Sequence, residues 1–135
     1  MPYRCSKKFR FEAAHALTQL PPEHKCHNVH GHGYEVTITF ESPHNLYYGI
    51  PHLGMVVDFG DISGWWKRDV EPLLDHRNLN AVPELGEIHL TAEGLAKWIF
   101  DRCNRAFWRR GLCSIRVQET PTCWAEYIRD DERRT

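Results

Sequence analysis

Histidine is the residue type whose spacing suggests chemistry in this chain. The run Cys26-His27-Asn28-Val29-His30-Gly31-His32 sets two imidazoles either side of a glycine, and His15 closes an earlier run, Phe11-Glu12-Ala13-Ala14-His15. Side chains alternate faces along an extended strand, so His30 and His32 point the same way. If the segment ending in His15 lies beside theirs, a third nitrogen joins them. Three neutral imidazoles suit zinc best among the common ions and leave one coordination position open, as a catalytic site does for water or substrate. Cys26, four residues before His30, is then near enough to act as a base or nucleophile beside the metal. The same thiol as a fourth ligand would close a structural site, and spacing alone leaves both readings standing.

Three further positions carry chemistry. Asp75 and His76 follow the end of an expected helix, and a carboxylate beside an imidazole raises its basicity, fixes its tautomer and makes a proton relay. A polar turn would have the same sequence. Glu119 ends an alternating stretch, so its carboxylate is expected at the rim of a sheet, where it matches the paired N–H donors of an amidine-like heterocycle; a solvated strand-end glutamate is the commoner case. Thr91 precedes a helical pattern and is expected to cap it, with ligand contact as the alternative. Lys25 and Arg77 flank these segments and could meet an anion, although surface cations usually serve solubility alone.

The elements that must position these residues follow from periodicity. Phe9, Phe11 and Ala13 alternate with Lys8, Arg10 and Glu12, giving a strand over Tyr3 to Ala14, and Pro21-Pro22 forces a loop after it. Tyr34, Val36, Ile38 and Phe40 alternate with Glu35, Thr37, Thr39 and Glu41, the clearest strand in the chain. A long loop or twisted hairpin tip is expected over Ser42 to Leu53, with His44 and His52 exposed, then a short strand at Met55 to Phe59. Ile62, Trp65, Trp66, Val70 and Leu73 recur at helical spacing from Asp61 to about Leu74. A second helix is expected from Ala92 to about Arg109, ended by Gly111. Two strands, Cys113 to Glu119 and Thr122 to Ile128, finish the chain before a frayed, mixed-charge tail from Arg129.

The order strand, strand, helix, helix, strand, strand describes one α+β domain over residues 1–135, an antiparallel sheet with two helices on one face. Its open edges invite pairing with another copy. With 135 residues the chain can bury a core without disulfides, and a formal net charge of −1 argues against a nucleic-acid or anionic-membrane surface. Five cysteines without a CxxC pair fit reduced thiols. Neither a signal-peptide core nor a bilayer-length apolar run is present, so a cytoplasmic protein is expected.

Six segments in order resemble the motifs of the 6-pyruvoyl-tetrahydropterin synthase family: Phe11 to His15; Cys26-x-x-x-His30-Gly31-His32-Gly33-Tyr34; Val57-Asp58-Phe59; Leu74-Asp75-His76-Arg77-Asn78-Leu79-Asn80; Thr91 to Trp98; and Val117-Gln118-Glu119-Thr120. The short gap between Cys26 and His30 is similar to that of the family's bacterial 6-carboxytetrahydropterin synthase branch, which serves queuosine (7-deazaguanine) biosynthesis. The resemblance implies a tunnelling fold, β-β-α-α-β-β, whose sheets join into an oligomeric barrel of trimers or hexamers. It implies Zn2+ on His15, His30 and His32, Cys26 as proton acceptor, and His76 with Asp75 as the relay activating it. Glu119 would anchor the pterin ring of a small-molecule pterin triphosphate, and Thr91 would reach a neighbour's substrate. Two departures, the long 42–53 loop and Leu90-Thr91-Ala92-Glu93 at the start of the second helix, bear on selectivity for the substrate side chain.

Overall fold

The computed structural model describes residues 3–42 and 54–130. Residues 43–53, with His44 and His52, and the tail 131–135 lie outside the described residues, and the expectations made for them with them.

Strands β1 (Tyr3–His15) and β2 (His30–Ser42) pair antiparallel along their whole length, from Tyr3 opposite Ser42 to His15 opposite His30. The period-two pattern puts Phe11 and Ala13 of β1 and Tyr34, Val36, Ile38 and Phe40 of β2 on one buried face. The other face carries Lys8, Arg10, Glu12 and Glu35. Strand β4 (Leu112–Thr120) continues the sheet with Val117 opposite Val36 and Ile115 opposite Ile38, and β5 (Cys123–Ile128) closes that side. A fifth strand not expected from the sequence, β3 (Arg77–Asn78), lies parallel to β1 at Ala13 and Ala14, giving the order β3-β1-β2-β4-β5. The sheet is therefore antiparallel except at this two-residue edge, which is too short to leave a periodic trace.

Helical layers cover the apolar face. Segments α1 (Phe59–Trp65), a π turn (Trp66–Val70) and α2 (Glu71–Leu74) run end to end over β1, with Trp66 stacked on Phe9 at 4.5 Å and 4°. The π turn has a cause in Pro72. Proline supplies no N–H, and its ring would strike the carbonyl four residues back, so the backbone opens and Glu71 N–H reaches Trp66 O instead. Helix α3 (Ala92–Ala106) lies over β4 and β5, burying Leu95, Ala96, Ile99, Phe100 and Cys103, with Phe100 against Tyr127 at 4.9 Å.

The sequence expectations need three corrections here. No strand forms at Met55–Phe59: Asp58 accepts a hydrogen bond from Gly60 N–H at 2.8 Å and caps α1, which starts at Phe59 rather than Asp61. A short apolar run before a capping aspartate reads equally well as a strand or as a helix entry. Helix α3 ends at Ala106 rather than Arg109, because Phe107 leaves helical geometry and Arg109 takes a positive φ of 61°. Its N-terminus fits the expectation, with Thr91 Oγ1 accepting from Gly94 N–H at 3.1 Å.

Candidate metal centre and flanking groups

Antiparallel register brings the histidines together. His15 sits opposite His30 and Ala13 opposite His32, so all three imidazoles rise from the helix-facing side at one end of the sheet. Their ring centroids are 4.5, 5.0 and 4.8 Å apart, and one ligand nitrogen from each lies within 4.8 Å of the others. Tyr34 lies directly beneath, edge-on to the rings of His15 and His32.

Two rings are oriented by backbone carbonyls. His15 Nδ1 lies 2.8 Å from Leu90 O and His30 Nδ1 lies 2.8 Å from Asn28 O. A carbonyl only accepts, so both Nδ1 atoms carry the hydrogen and both Nε2 atoms present lone pairs. Those two Nε2 atoms face each other at 3.0 Å, and His32 Nε2 is buried with no hydrogen-bond partner. Lone pairs so placed call for a cation between them. A tetrahedral ion with bonds of about 2.0–2.1 Å separates its nitrogens by about 3.3 Å, near the 3.0 Å between His15 and His30, and with all three ligand atoms within 4.8 Å of one another the all-imidazole donor set fits zinc. Burial, reinforced by the neighbouring histidines, lowers the pKa of His15, and burial with His30 lowers that of His32, so both rings are neutral and ready to bind at physiological pH.

Cys26 is not one of the converging ligands. It occupies a 3-10 turn, Lys25–His27, whose ends are tied on both sides: Cys26 O accepts from Leu17 N–H at 2.8 Å, and Cys26 N–H donates to His24 Nδ1 at 3.1 Å. Asn28, which follows, donates to Lys25 O and holds His30 through its carbonyl. The turn bearing the thiol is thus fixed to a member of the histidine triad.

Glu119 stands at the register shift between Gln118 and Thr120 near the end of β4, close enough to His30 and Tyr34 for its charge to act on both. Its pKa is raised by burial first and by Glu93 next, against a lowering by His30. Glu93, in the first turn of α3, was not singled out from the sequence; its place two residues after the capping Thr91 was the available signal. Thr91 itself spends its side chain on the cap, and the carbonyl just before it, Leu90 O, is the one that orients His15.

Asp75 and His76 immediately precede β3, beside β1. Asp75 Oδ2 holds His76 Nδ1 at 3.0 Å, its Oδ1 accepts from Glu12 N–H at 3.0 Å, and His76 N–H donates to Glu12 O at 2.6 Å. His76 adopts a left-handed φ of 58° and leaves 79% of its side chain exposed. With Glu12, Ala13, Gly31, Gly33 and the triad's His32 it lines an open depression of about 480 Å³. Asp75 and His76 therefore form a carboxylate–imidazole pair, and His76 is not among the residues whose ligand atoms converge in the histidine triad. Arg77 and Lys25 are both exposed.

A family model described as 6-pyruvoyl tetrahydropterin synthase matches residues 4–130. A 6-carboxy-5,6,7,8-tetrahydropterin synthase from Synechocystis is 38% identical over 90% of this chain and 90% of that protein. One from Haemophilus influenzae is 30% identical over 93% and 98%. The human 6-pyruvoyl tetrahydrobiopterin synthase is 29% identical over 85% and 83%. Among solved structures, 6-pyruvoyl tetrahydropterin synthase from Caenorhabditis elegans superposes with a TM-score of 0.81 at 24% identity, over 96% of this chain and 97% of that one.

Proposed function

Because the chain belongs to the 6-pyruvoyl tetrahydropterin synthase family, we propose that it is a zinc-dependent 6-carboxytetrahydropterin synthase acting in 7-deazaguanine biosynthesis. The reaction converts 7,8-dihydroneopterin triphosphate and water to 6-carboxy-5,6,7,8-tetrahydropterin, acetaldehyde and triphosphate. The observation that carries this reading is the triad: one ligand nitrogen from each of His15, His30 and His32 within 4.8 Å of the others, with Cys26 outside that group. His15, His30 and His32 would hold the zinc, which would supply Lewis-acid polarisation of the substrate side-chain oxygens.

The chain's own groups divide the remaining work. Glu119 accepts the paired N–H donors of the pterin ring, in a partly buried position where a carboxylate hydrogen bond counts for most. Cys26 takes the carbon-bound proton of the substrate side chain. The Asp75–His76 pair draws the proton from the Cys26 thiol, and the exposure of His76 on the sheet edge supports its acting on the Cys26 of a second copy rather than its own. Thr91, whose cap fixes the start of α3, holds the substrate side of the pocket. The enzyme works in the cytoplasm as a homo-oligomer closed by pairing of its sheet edges, without nucleic-acid or membrane partners.

Incubating the zinc-loaded protein with 7,8-dihydroneopterin triphosphate tests this. Acetaldehyde and the 6-carboxy product are expected together. Triphosphate released with the three-carbon side chain retained would assign the protein to the 6-pyruvoyl reaction of its human relative. No turnover of either kind would leave a structural zinc module.

A further inference from the structure

We propose that Tyr34 is a positioning residue of the metal centre: its buried hydroxyl is the second acceptor for the Nδ1 hydrogen of His15 and locks that ring with Nε2 toward the ion. The inference rests on the triad being a metal site and goes beyond it, since it assigns a function to a side chain that touches no ion.

Tyr34 is two residues past His32 on the same strand face and is fully buried. Its ring is stacked on Phe11 at 4.7 Å and 10°, so the hydroxyl is aimed by two packed aromatics rather than by a flexible stem. That hydroxyl lies 3.2 Å from His15 Nδ1, on the side opposite the metal-facing Nε2. Leu90 O, at 2.8 Å from the same nitrogen, only accepts, which makes Nδ1 the donor and the tyrosine oxygen the second arm of a forked hydrogen bond. Two acceptors define the plane of the ring where one would allow it to swing. His30 has a single carbonyl, Asn28 O, in that role and is less buried, whereas His15 is 1% exposed and must be placed without help from water. Outer groups of this kind orient the ligand and raise its basicity.

The substitution Tyr34→Phe removes one oxygen and keeps the ring and its stacking on Phe11. Zinc affinity would be measured by competition with a chromophoric chelator, and the visible spectrum recorded after cobalt replacement, for the full chain and the variant. The wild-type chain is expected to bind one zinc per chain, and Tyr34→Phe to bind it about tenfold more weakly, within the range removal of such outer partners usually gives, with a shifted cobalt spectrum. Equal affinity and an identical spectrum would overturn the assignment and leave Tyr34 as core. A wild-type chain that binds no zinc would overturn the metal reading itself, and this inference with it. If the variant does not fold, 15N-histidine NMR of the zinc-free wild-type protein decides: His15 as the Nδ1–H tautomer with a strongly hydrogen-bonded proton supports the fork, and the Nε2–H tautomer overturns it.

Discussion

The Nε2 atoms of His15 and His30 face each other across 3.0 Å although each ring has its Nδ1 hydrogen engaged by a backbone carbonyl, Leu90 O for one and Asn28 O for the other. Such an arrangement is self-repulsive until a cation enters it. The triad is thus preorganised at the expense of the metal-free state, and the two carbonyls come from parts of the chain that also carry other site groups. Leu90 precedes the capping Thr91, and Asn28 follows the turn that bears Cys26.

Removing one ring should break the centre. His15→Ala and His32→Ala are each expected to lose stoichiometric zinc in a dialysed sample assayed by atomic absorption, because two imidazoles do not hold the ion against water. Retention of one tightly held zinc in either variant would contradict the ligand set.

Cys26→Ala should separate binding from chemistry. The variant is expected to keep one zinc per chain and to lose about two to four powers of ten in turnover, the usual contribution of a positioned base. Full acetaldehyde production by Cys26→Ala, or loss of its zinc, would remove Cys26 from the role given to it.

Complementation should reveal where the relay acts. Cys26→Ala and His76→Ala are each expected to be nearly inactive alone. Co-expressed or refolded together they should recover part of the wild-type rate, since some mixed assemblies join an intact thiol to an intact Asp75–His76 pair. Mixtures as inactive as the separate variants would place thiol and relay in the same copy.

Two glycines in helices should respond in opposite directions. A Cβ at Gly94 would run into the carbonyl of His89, whereas one at Gly64 meets open space. Gly94→Ala is expected to cost about 1–3 kcal/mol by forcing the backbone apart, and Gly64→Ala to gain up to about 1 kcal/mol from helix propensity. Thermal melts would show the first variant below and the second above the parent. A Gly94→Ala melt at or above the parent would contradict the close approach of His89 O at the start of α3.

Acid should destabilise the metal-free protein early. Burial lowers the pKa of His15 and His32 below the ordinary 6.5. Between that value and the lowered ones the unfolded chain binds more protons than the folded chain, so stability is full above it and declines as pH falls through the window. The melting temperature of zinc-free protein is expected to drop as pH falls below about 6.5, with His15→Ala showing a smaller drop. A flat profile over that range would contradict the burial of neutral imidazoles.

Much of this was legible in the sequence because it depends on short periods. Alternation in Phe9 to Ala13 and in Tyr34 to Phe40 fixes which face of each strand is buried, and the same alternation puts His30 and His32 on one side. Thr91 was legible as a cap because a hydroxyl before an apolar helical pattern has few other uses. What stayed hidden depends on contacts between distant segments. Arg77–Asn78 becomes a strand only because β1 has a free edge beside it, and the interruption at Trp66–Val70 arises where Pro72 must be absorbed within an otherwise regular helical pattern. The Val57-Asp58-Phe59 run misled because a buried valine before a capping aspartate has the composition of a strand. Glu93 was missed because nothing local in the sequence says that the first turn of α3 faces the end of β4. The placement of Asp75–His76 beside β1, at the β3 edge of the sheet, is set by two hydrogen bonds to Glu12, sixty-odd residues away.

X-ray absorption at the zinc edge of the loaded, substrate-free protein is the most direct test of the central claim. Three imidazole nitrogens and one water oxygen at about 2.0–2.1 Å, with the spectrum unchanged in Cys26→Ala, are the predicted result. A sulfur scatterer at about 2.3 Å that disappears in Cys26→Ala would contradict it, because the thiol would then be a ligand and no position would be left for substrate.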